Sequence, residues 1–131
     1  MQQAADYQDL GLPEKQCGFL RVFLANISTI PNVDRVILFG SCAKGTFRME
    51  SDVDLFVITK DTPTVDEEIY IMAECPPDYE SKYYLHSDII IKSRDQYENC
   101  KYEMGMVQKY VELDGVDLTG LFTKTPRITK K

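Results

Sequence analysis

Phe39-Gly40-Ser41-Cys42-Ala43-Lys44-Gly45, followed shortly by Ser51-Asp52-Val53-Asp54-Leu55, is the stretch that decides the fold of this chain. The first half follows the apolar run Val36-Ile37-Leu38-Phe39, and the second opens the apolar run Leu55-Phe56-Val57-Ile58. After an apolar strand, Gly40 lets the backbone turn with positive φ and leaves space where a side chain would block a ligand. Successive backbone N–H groups in such a turn can face one concavity and bind phosphate oxygens. Ser41 adds a hydroxyl, Lys44 a positive charge and Gly45 a second close approach. Asp52 and Asp54, two apart on a strand, point the same way at about 7 Å backbone separation. Their mutual repulsion and desolvation are relieved by a cation, and Mg²⁺ suits oxygen ligands shared with phosphate.

Outward from this stretch the pattern alternates helix and strand. Pro13 fits the first helical position, with a helix from Glu14 to about Ser28 carrying Leu20, Leu24 and Ile27 at helical spacing. Pro31-Asn32 stops it, and Val33 to Phe39 reads as a central strand covered on both faces. Ser41 to Gly45 reads as a turn or short helix. Asp52 to Thr59 is the next strand, with Asp52, Asp54, Phe56 and Ile58 on one face. Thr64-Val65-Asp66-Glu67 has the form of a capping box and predicts a helix from Val65 to about Glu74. Tyr83 to Lys92 is a third strand, and Ser93-Arg94-Asp95-Gln96 is a second capping box. The helix after it places Tyr97, Cys100, Met104, Val107 and Val111 on one stripe and ends at Gly115. The fold class is therefore α/β: a small mixed β-sheet packed on helices, with one helical layer.

Asp88 lies within the third apolar strand, where a lone charge would be costly, and is the candidate third carboxylate. Asp52, Asp54 and Asp88 can hold two Mg²⁺ ions about 4 Å apart, one on a triphosphate and one on the attacking oxygen. In-line transfer at phosphorus is the reaction implied.

The 131 residues fit one domain, read as 1–122, followed by a basic tail over 123–131. That tail carries Lys124, Arg127, Lys130 and Lys131; removing its four charges from a net of −6 leaves −10 on residues 1–122. An acidic body argues against long nucleic acid as a ligand, because such binding is driven by phosphate neutralisation. No apolar run approaches the roughly 20 residues that cross a bilayer, and the N-terminus lacks the pattern of a signal peptide. A cytoplasmic protein is expected. Cys17, Cys42, Cys75 and Cys100 are too scattered for a zinc cluster and read as free thiols, with Cys42 partly exposed.

Gly40-Ser41-x-x-x-Gly45 followed by Ser51-Asp52-x-Asp54-Leu55 resembles the signature of the nucleotidyltransferase superfamily that includes DNA polymerase β. The short length resembles its minimal members, the MNT domains. The resemblance covers the 33–92 core and implies a polymerase β palm-like fold. It also implies three aspartates, Mg²⁺ and a nucleoside triphosphate (usually ATP), with transfer of the nucleoside monophosphate and release of pyrophosphate. On that basis Asp52, Asp54 and Asp88 are the catalytic metal ligands. Gly40 and Ser41, with Lys44, Gly45 and Ser51, hold the nucleotide. Lys44 stands where many minimal members have arginine, supplying charge without a bidentate fork. His86, two residues before Asp88, reads either as a satisfied or exposed histidine or as a group orienting Asp88.

No second domain is expected to hold an acceptor, so the reading has another chain or an open face supply that surface. Minimal members often pair with small helical HEPN proteins, as antitoxins that add AMP to a tyrosine of the toxin. The resemblance thus implies transfer to a hydroxyl of a protein or small-molecule acceptor, with the chain as the MNT antitoxin of a HEPN/MNT pair as one form of it. Two alternatives stand beside it: a non-catalytic partner acting by occlusion, and a homo-oligomeric adenylyltransferase of the antibiotic-modifying type. Tyr79, Tyr83 and Tyr84 read as packing residues or as an acceptor surface.

Overall fold

The computed structural model describes residues 2–44, 53–73, 87–100 and 107–124. Gly45, Ser51, Asp52, Cys75, Tyr79, Tyr83, Tyr84, His86, Met104 and the chain beyond Lys124 lie outside the described residues, as do the side chains of Ser41, Lys44 and Cys100.

The elements run in the order β1 (Gln2–Gln3), α1 (Glu14–Ile27), β2 (Val33–Phe39), α2 (Ser41–Lys44), β3 (Val53–Thr59), α3 (Val65–Ala73), β4 (Ser87–Ser93), α4 (Arg94–Cys100), α5 (Val107–Asp114) and β5 (Val116–Asp117). Short 3₁₀ turns occupy Tyr7–Leu10 and Thr119–Lys124. The five strands form one mixed sheet in the order β1-β5-β2-β3-β4. β2 is antiparallel to both β3 and β5, while β3 and β4 are parallel, as are β1 and β5.

Local chemistry fixes these boundaries. Pro13 sits at the N-cap of α1, one position earlier than expected, and its carbonyl accepts the first helical bond from the Cys17 N–H at 3.0 Å. Both capping boxes form. Thr64 Oγ1 accepts from the Glu67 N–H at 3.1 Å, and Glu67 Oε1 accepts from the Thr64 N–H at 2.9 Å. Ser93 Oγ accepts from the Gln96 N–H at 3.2 Å, and Gln96 Oε1 accepts from the Ser93 N–H at 2.9 Å. The second box turns β4 directly into α4 and folds that helix back over the sheet. Asn32 joins two loops: its Nδ2 donates to the Asp61 carbonyl at 3.2 Å and to Glu67 Oε1 at 3.1 Å, while its Oδ1 accepts from the Asp61 N–H at 3.0 Å.

Apolar residues cover the sheet on both faces, so a single helical layer is not what forms. On one face α1 (Leu20, Phe23, Leu24, Ile27), Ile71 of α3, Leu118 and Leu121 pack on Val36, Leu38, Val53, Leu55 and Val57. On the other, Tyr97 of α4 and Val111 of α5 pack on Ile37, Phe56 and Ile58. A register shift between Val33 and Arg35 explains why Val33 and Val36, three apart, share a face. Of the stripe expected on the helix after the second capping box, Tyr97 of α4 and Val111 of α5 enter the same cluster; residues 101–106 and the side chain of Val107 lie outside the described residues. Gly115 ends α5 as expected. A Cβ there would lie 2.7 Å from Cγ2 of Ile37, so only glycine lets the helix end close against β2.

Candidate active site

Three residues of adjacent strands form a row across one face of the sheet. Phe39 of β2 is the register partner of Asp54 in β3, and Asp54 is the register partner of Asp88 in β4. Strand alternation puts all three on the face that carries Ile37, Phe56 and Ile90. The row lies one step past Phe56 and Ile90, at the end of that face. Asp54 is half-buried, whereas Asp88 is exposed on the edge strand. The desolvation cost expected for Asp88 as a mid-strand charge is therefore absent. What distinguishes it is its pairing with Asp54.

Gly40 closes the site from the β2 side. Its φ is +75°, in the left-handed region. A Cβ added there would land on Oδ2 of Asp54 and lie 3.2 Å from its Cγ. The Asp54 carboxylate thus occupies the space that the missing side chain leaves, which couples the glycine turn to the carboxylate directly. Beyond Gly40 the chain enters α2, where the Ala43 N–H donates to the Gly40 carbonyl at 3.1 Å. Cys42 holds this short helix against the core. It is 3% exposed and packs with the α1-side cluster, which corrects the expectation of a partly exposed thiol.

Beneath the row an aromatic ladder leads away from the carboxylates. Phe39 meets Phe56 edge-on at 6.5 Å between ring centroids, and Phe56 meets Tyr97 edge-on at 5.4 Å. Tyr97 donates its hydroxyl proton to Oε2 of Glu112 at 2.5 Å. Burial, then the bond to Glu112, push its phenol well above the ordinary range. Further along, Arg35 Nε pairs with Oδ2 of the buried Asp117 at 3.2 Å, joining β2 to β5. These contacts tie together the elements that support the site.

Of the expected site residues, the fold brings together Gly40, Asp54 and Asp88, and it places Ser41 and Lys44 on α2 immediately after the turn. Asp52, Gly45 and Ser51 lie outside the described residues, among which no three metal-ligating side chains converge. Phe39 was not read from sequence as part of the site. Its signal was available: alternation from Ile37 puts it on the second face, directly before the glycine. Asp54 and Asp88 present oxygen ligands only, on neighbouring strands, with one side open to solvent. Such a pair repels itself when both groups ionise and suits a hard divalent cation.

The family model for polymerase beta nucleotidyltransferases matches residues 25–111, which spans β2 through α4, with the end of α1 and the start of α5. A candidate protein adenylyltransferase from Methanocaldococcus jannaschii is 42% identical over 74 residues, covering 55% of this chain and 70% of that protein. Among solved structures, a toxin–antitoxin with AMP-PNP superposes with a TM-score of 0.51 at 20% identity, over 86% of this chain and 84% of that one. A mutant of the toxin–antitoxin MntA–HpeT gives 0.50 at 19% identity, over 81% and 82%. At such identities the superpositions speak for the fold. No helix among the described residues is long and apolar enough to cross a membrane. The chain belongs to the polymerase β-type nucleotidyltransferase family and is a transferase of that class.

Proposed function

We propose that the protein is a Mg²⁺-dependent nucleotidyltransferase that moves AMP from ATP to a hydroxyl group of a protein. The observation that carries this is the in-register pair Asp54–Asp88 beside a glycine turn whose Cβ space the Asp54 carboxylate fills. The 42% identical relative, itself a candidate protein adenylyltransferase, supports the choice of acceptor. Residues 1–122 act as one catalytic domain, with 123–131 as a basic tail.

Asp54 and Asp88, with Asp52, would hold the divalent ions, two of them. When bound, these ions neutralise the triphosphate and raise the nucleophilicity of the acceptor oxygen. Gly40, Ser41, Lys44, Gly45 and Ser51 hold the β- and γ-phosphates, through backbone N–H groups, hydroxyls and the Lys44 ammonium. The acceptor oxygen forms a bond to the α-phosphorus. The bond from that phosphorus to the bridging oxygen breaks, and pyrophosphate leaves. In this reading Asp88, exposed on the edge strand, receives the acceptor's proton. The chain's main contribution is position: carboxylates fixed on paired strands require no reorganisation during the transfer.

The family resemblance and the toxin–antitoxin neighbours favour a small helical HEPN-type protein as acceptor. Radiolabel at the α-phosphate of ATP, with Mg²⁺ and the protein encoded next door, tests both halves. Label should appear on that protein and vanish with Asp54→Asn or Asp88→Asn. If wild type and both variants transfer no label to protein or to added aminoglycosides, the enzymatic reading fails. Full neutralisation of the partner by Asp54→Asn would favour occlusion instead.

A further inference from the structure

The helix α3 buries very little of itself. Among its described side chains Ile71 alone is fully buried. Val65, Ile69 and Met72 are 69%, 61% and 51% exposed. Their spacing of four and then three residues stacks them into one ridge, within about 60° of arc at about 100° per residue. This is a complete apolar stripe turned to solvent, unlike a scattered exposed leucine.

The flanks of the ridge are acidic. On the same helical wheel the exposed Asp66 stands about 60° beyond Ile69 on one side, and the exposed Glu68 about 40° beyond Met72 on the other. Glu67 is turned inward, occupied by Thr64 and Asn32. The helix carries no Lys or Arg, and the chain as a whole has a net charge of −6. A second copy of α3 laid on this ridge would bring carboxylates against carboxylates along both borders. Like charges so placed oppose association, whereas Lys or Arg on a partner would face them favourably.

We propose that the outer face of α3 is a docking surface for a partner protein that offers an apolar helical stripe or groove bordered by Lys and Arg. The surface does not depend on the catalytic assignment. It lies on the helix that covers the opposite face of the sheet from Asp54 and Asp88. Docking there would leave the carboxylates accessible.

The test uses two synthetic helical peptides with the same Leu stripe, one bordered by Lys and one by Glu, and the full chain at about 0.1 M salt. Binding is read by fluorescence anisotropy. The Lys-bordered peptide should bind at least tenfold more tightly than the Glu-bordered one. Val65→Ser/Ile69→Ser, which leaves every charge in place, should weaken it at least tenfold. Asp66→Lys/Glu68→Lys should reverse the preference between peptides. Circular dichroism confirms that each variant is folded, and unchanged ATP binding separates this result from any failure of the nucleotide site. Equal binding of both peptides, or binding that survives Val65→Ser/Ile69→Ser, overturns the proposal. So does a concentration-dependent homodimer in sedimentation that the same double variant abolishes.

Discussion

Replacing Gly40 with alanine imposes two costs, and the chain contains its own control for one of them. Gly11 and Gly40 both have positive φ, +62° and +75°. A Cβ at Gly11 meets nothing within 4 Å, whereas one at Gly40 meets the Asp54 carboxylate. Forcing alanine into the left-handed region costs roughly 1–2 kcal/mol at either site. At Gly40 the Asp54 side chain must also turn aside, for about another 0.5–1.5 kcal/mol of rotamer strain. For a chain of this size each kcal/mol shifts the melting temperature by about 4 °C, so Gly40→Ala should melt about 2–6 °C below Gly11→Ala. The effect on transfer should be much larger, because displacing a catalytic carboxylate by about 1 Å can cost about 100-fold. Gly11→Ala should leave activity unchanged. Thermal denaturation followed by circular dichroism and the α-phosphate label assay read the two effects separately. In an Asp54→Ala background, Gly40→Ala should cost no more stability than Gly11→Ala. If both alanines cost the same with Asp54 intact, and both retain transfer, the coupling of Gly40 to Asp54 is refuted.

Tyr97→Phe removes the hydroxyl bonded to Glu112 and should cost about 1–2 kcal/mol in urea unfolding at neutral pH. Because the folded phenol is held above its unfolded value of about 10, the wild type keeps this stabilisation below about pH 10. It should lose it as pH rises beyond that, by up to about 1.4 kcal/mol per unit, a loss that Tyr97→Phe should lack. Cys17 and Cys42 are buried, and burial also raises the Cys17 thiol; in a Cys75→Ser/Cys100→Ser background Ellman's reagent should react only after unfolding. Ser93→Ala removes the cap at the start of α4 and should cost about 1 kcal/mol, measured by chemical denaturation. Phe56→Ala, which empties the middle of the aromatic ladder, should cost about 3–5 kcal/mol in the same measurement.

Much of the fold could be read locally. Val33–Phe39 was bounded by Pro31-Asn32 and Gly40, two unambiguous interruptions of an apolar run. The two capping boxes carried their own geometry, four residues each, and marked the starts of α3 and α4. The elements that escaped are those with no local signature. β1 and β5 have two residues each and exist because the sheet supplies partners: Val116 pairs with Leu38 and Gln2 with Val116. The second helical layer was hidden for a related reason. Val36-Ile37-Leu38-Phe39 implied cover on both faces, but which helix covers which face depends on connections that no window of sequence contains. The exposed stripe of α3 was hidden too, because an apolar stripe looks the same whether it faces a core or solvent.

The site was legible in a different way. The glycine turn and Asp54 are fourteen positions apart, yet an antiparallel register that pairs Phe39 with Asp54 brings them into contact. Any chain that turns directly at the end of one apolar strand and opens the next with a carboxylate will tend to produce that contact. Asp88 required more. No motif marks it, and the structure assigns its place through the parallel pairing of β3 with β4. Shifting β4 by one residue would turn Asp88 to the opposite face and put Ser87 or Ile89 beside Asp54. What holds the register is the run Ile89-Ile90-Ile91, in which Ile89 and Ile91 enter one core and Ile90 the other. Ile90→Ser should therefore reduce transfer by more than its loss of stability explains, since it weakens the hold on Asp88's position. Activity measured well below the variant's melting temperature would separate the two effects. Wild-type transfer by a folded Ile90→Ser would show that the β4 register, and with it the alignment of Asp88 with Asp54, does not depend on that side chain.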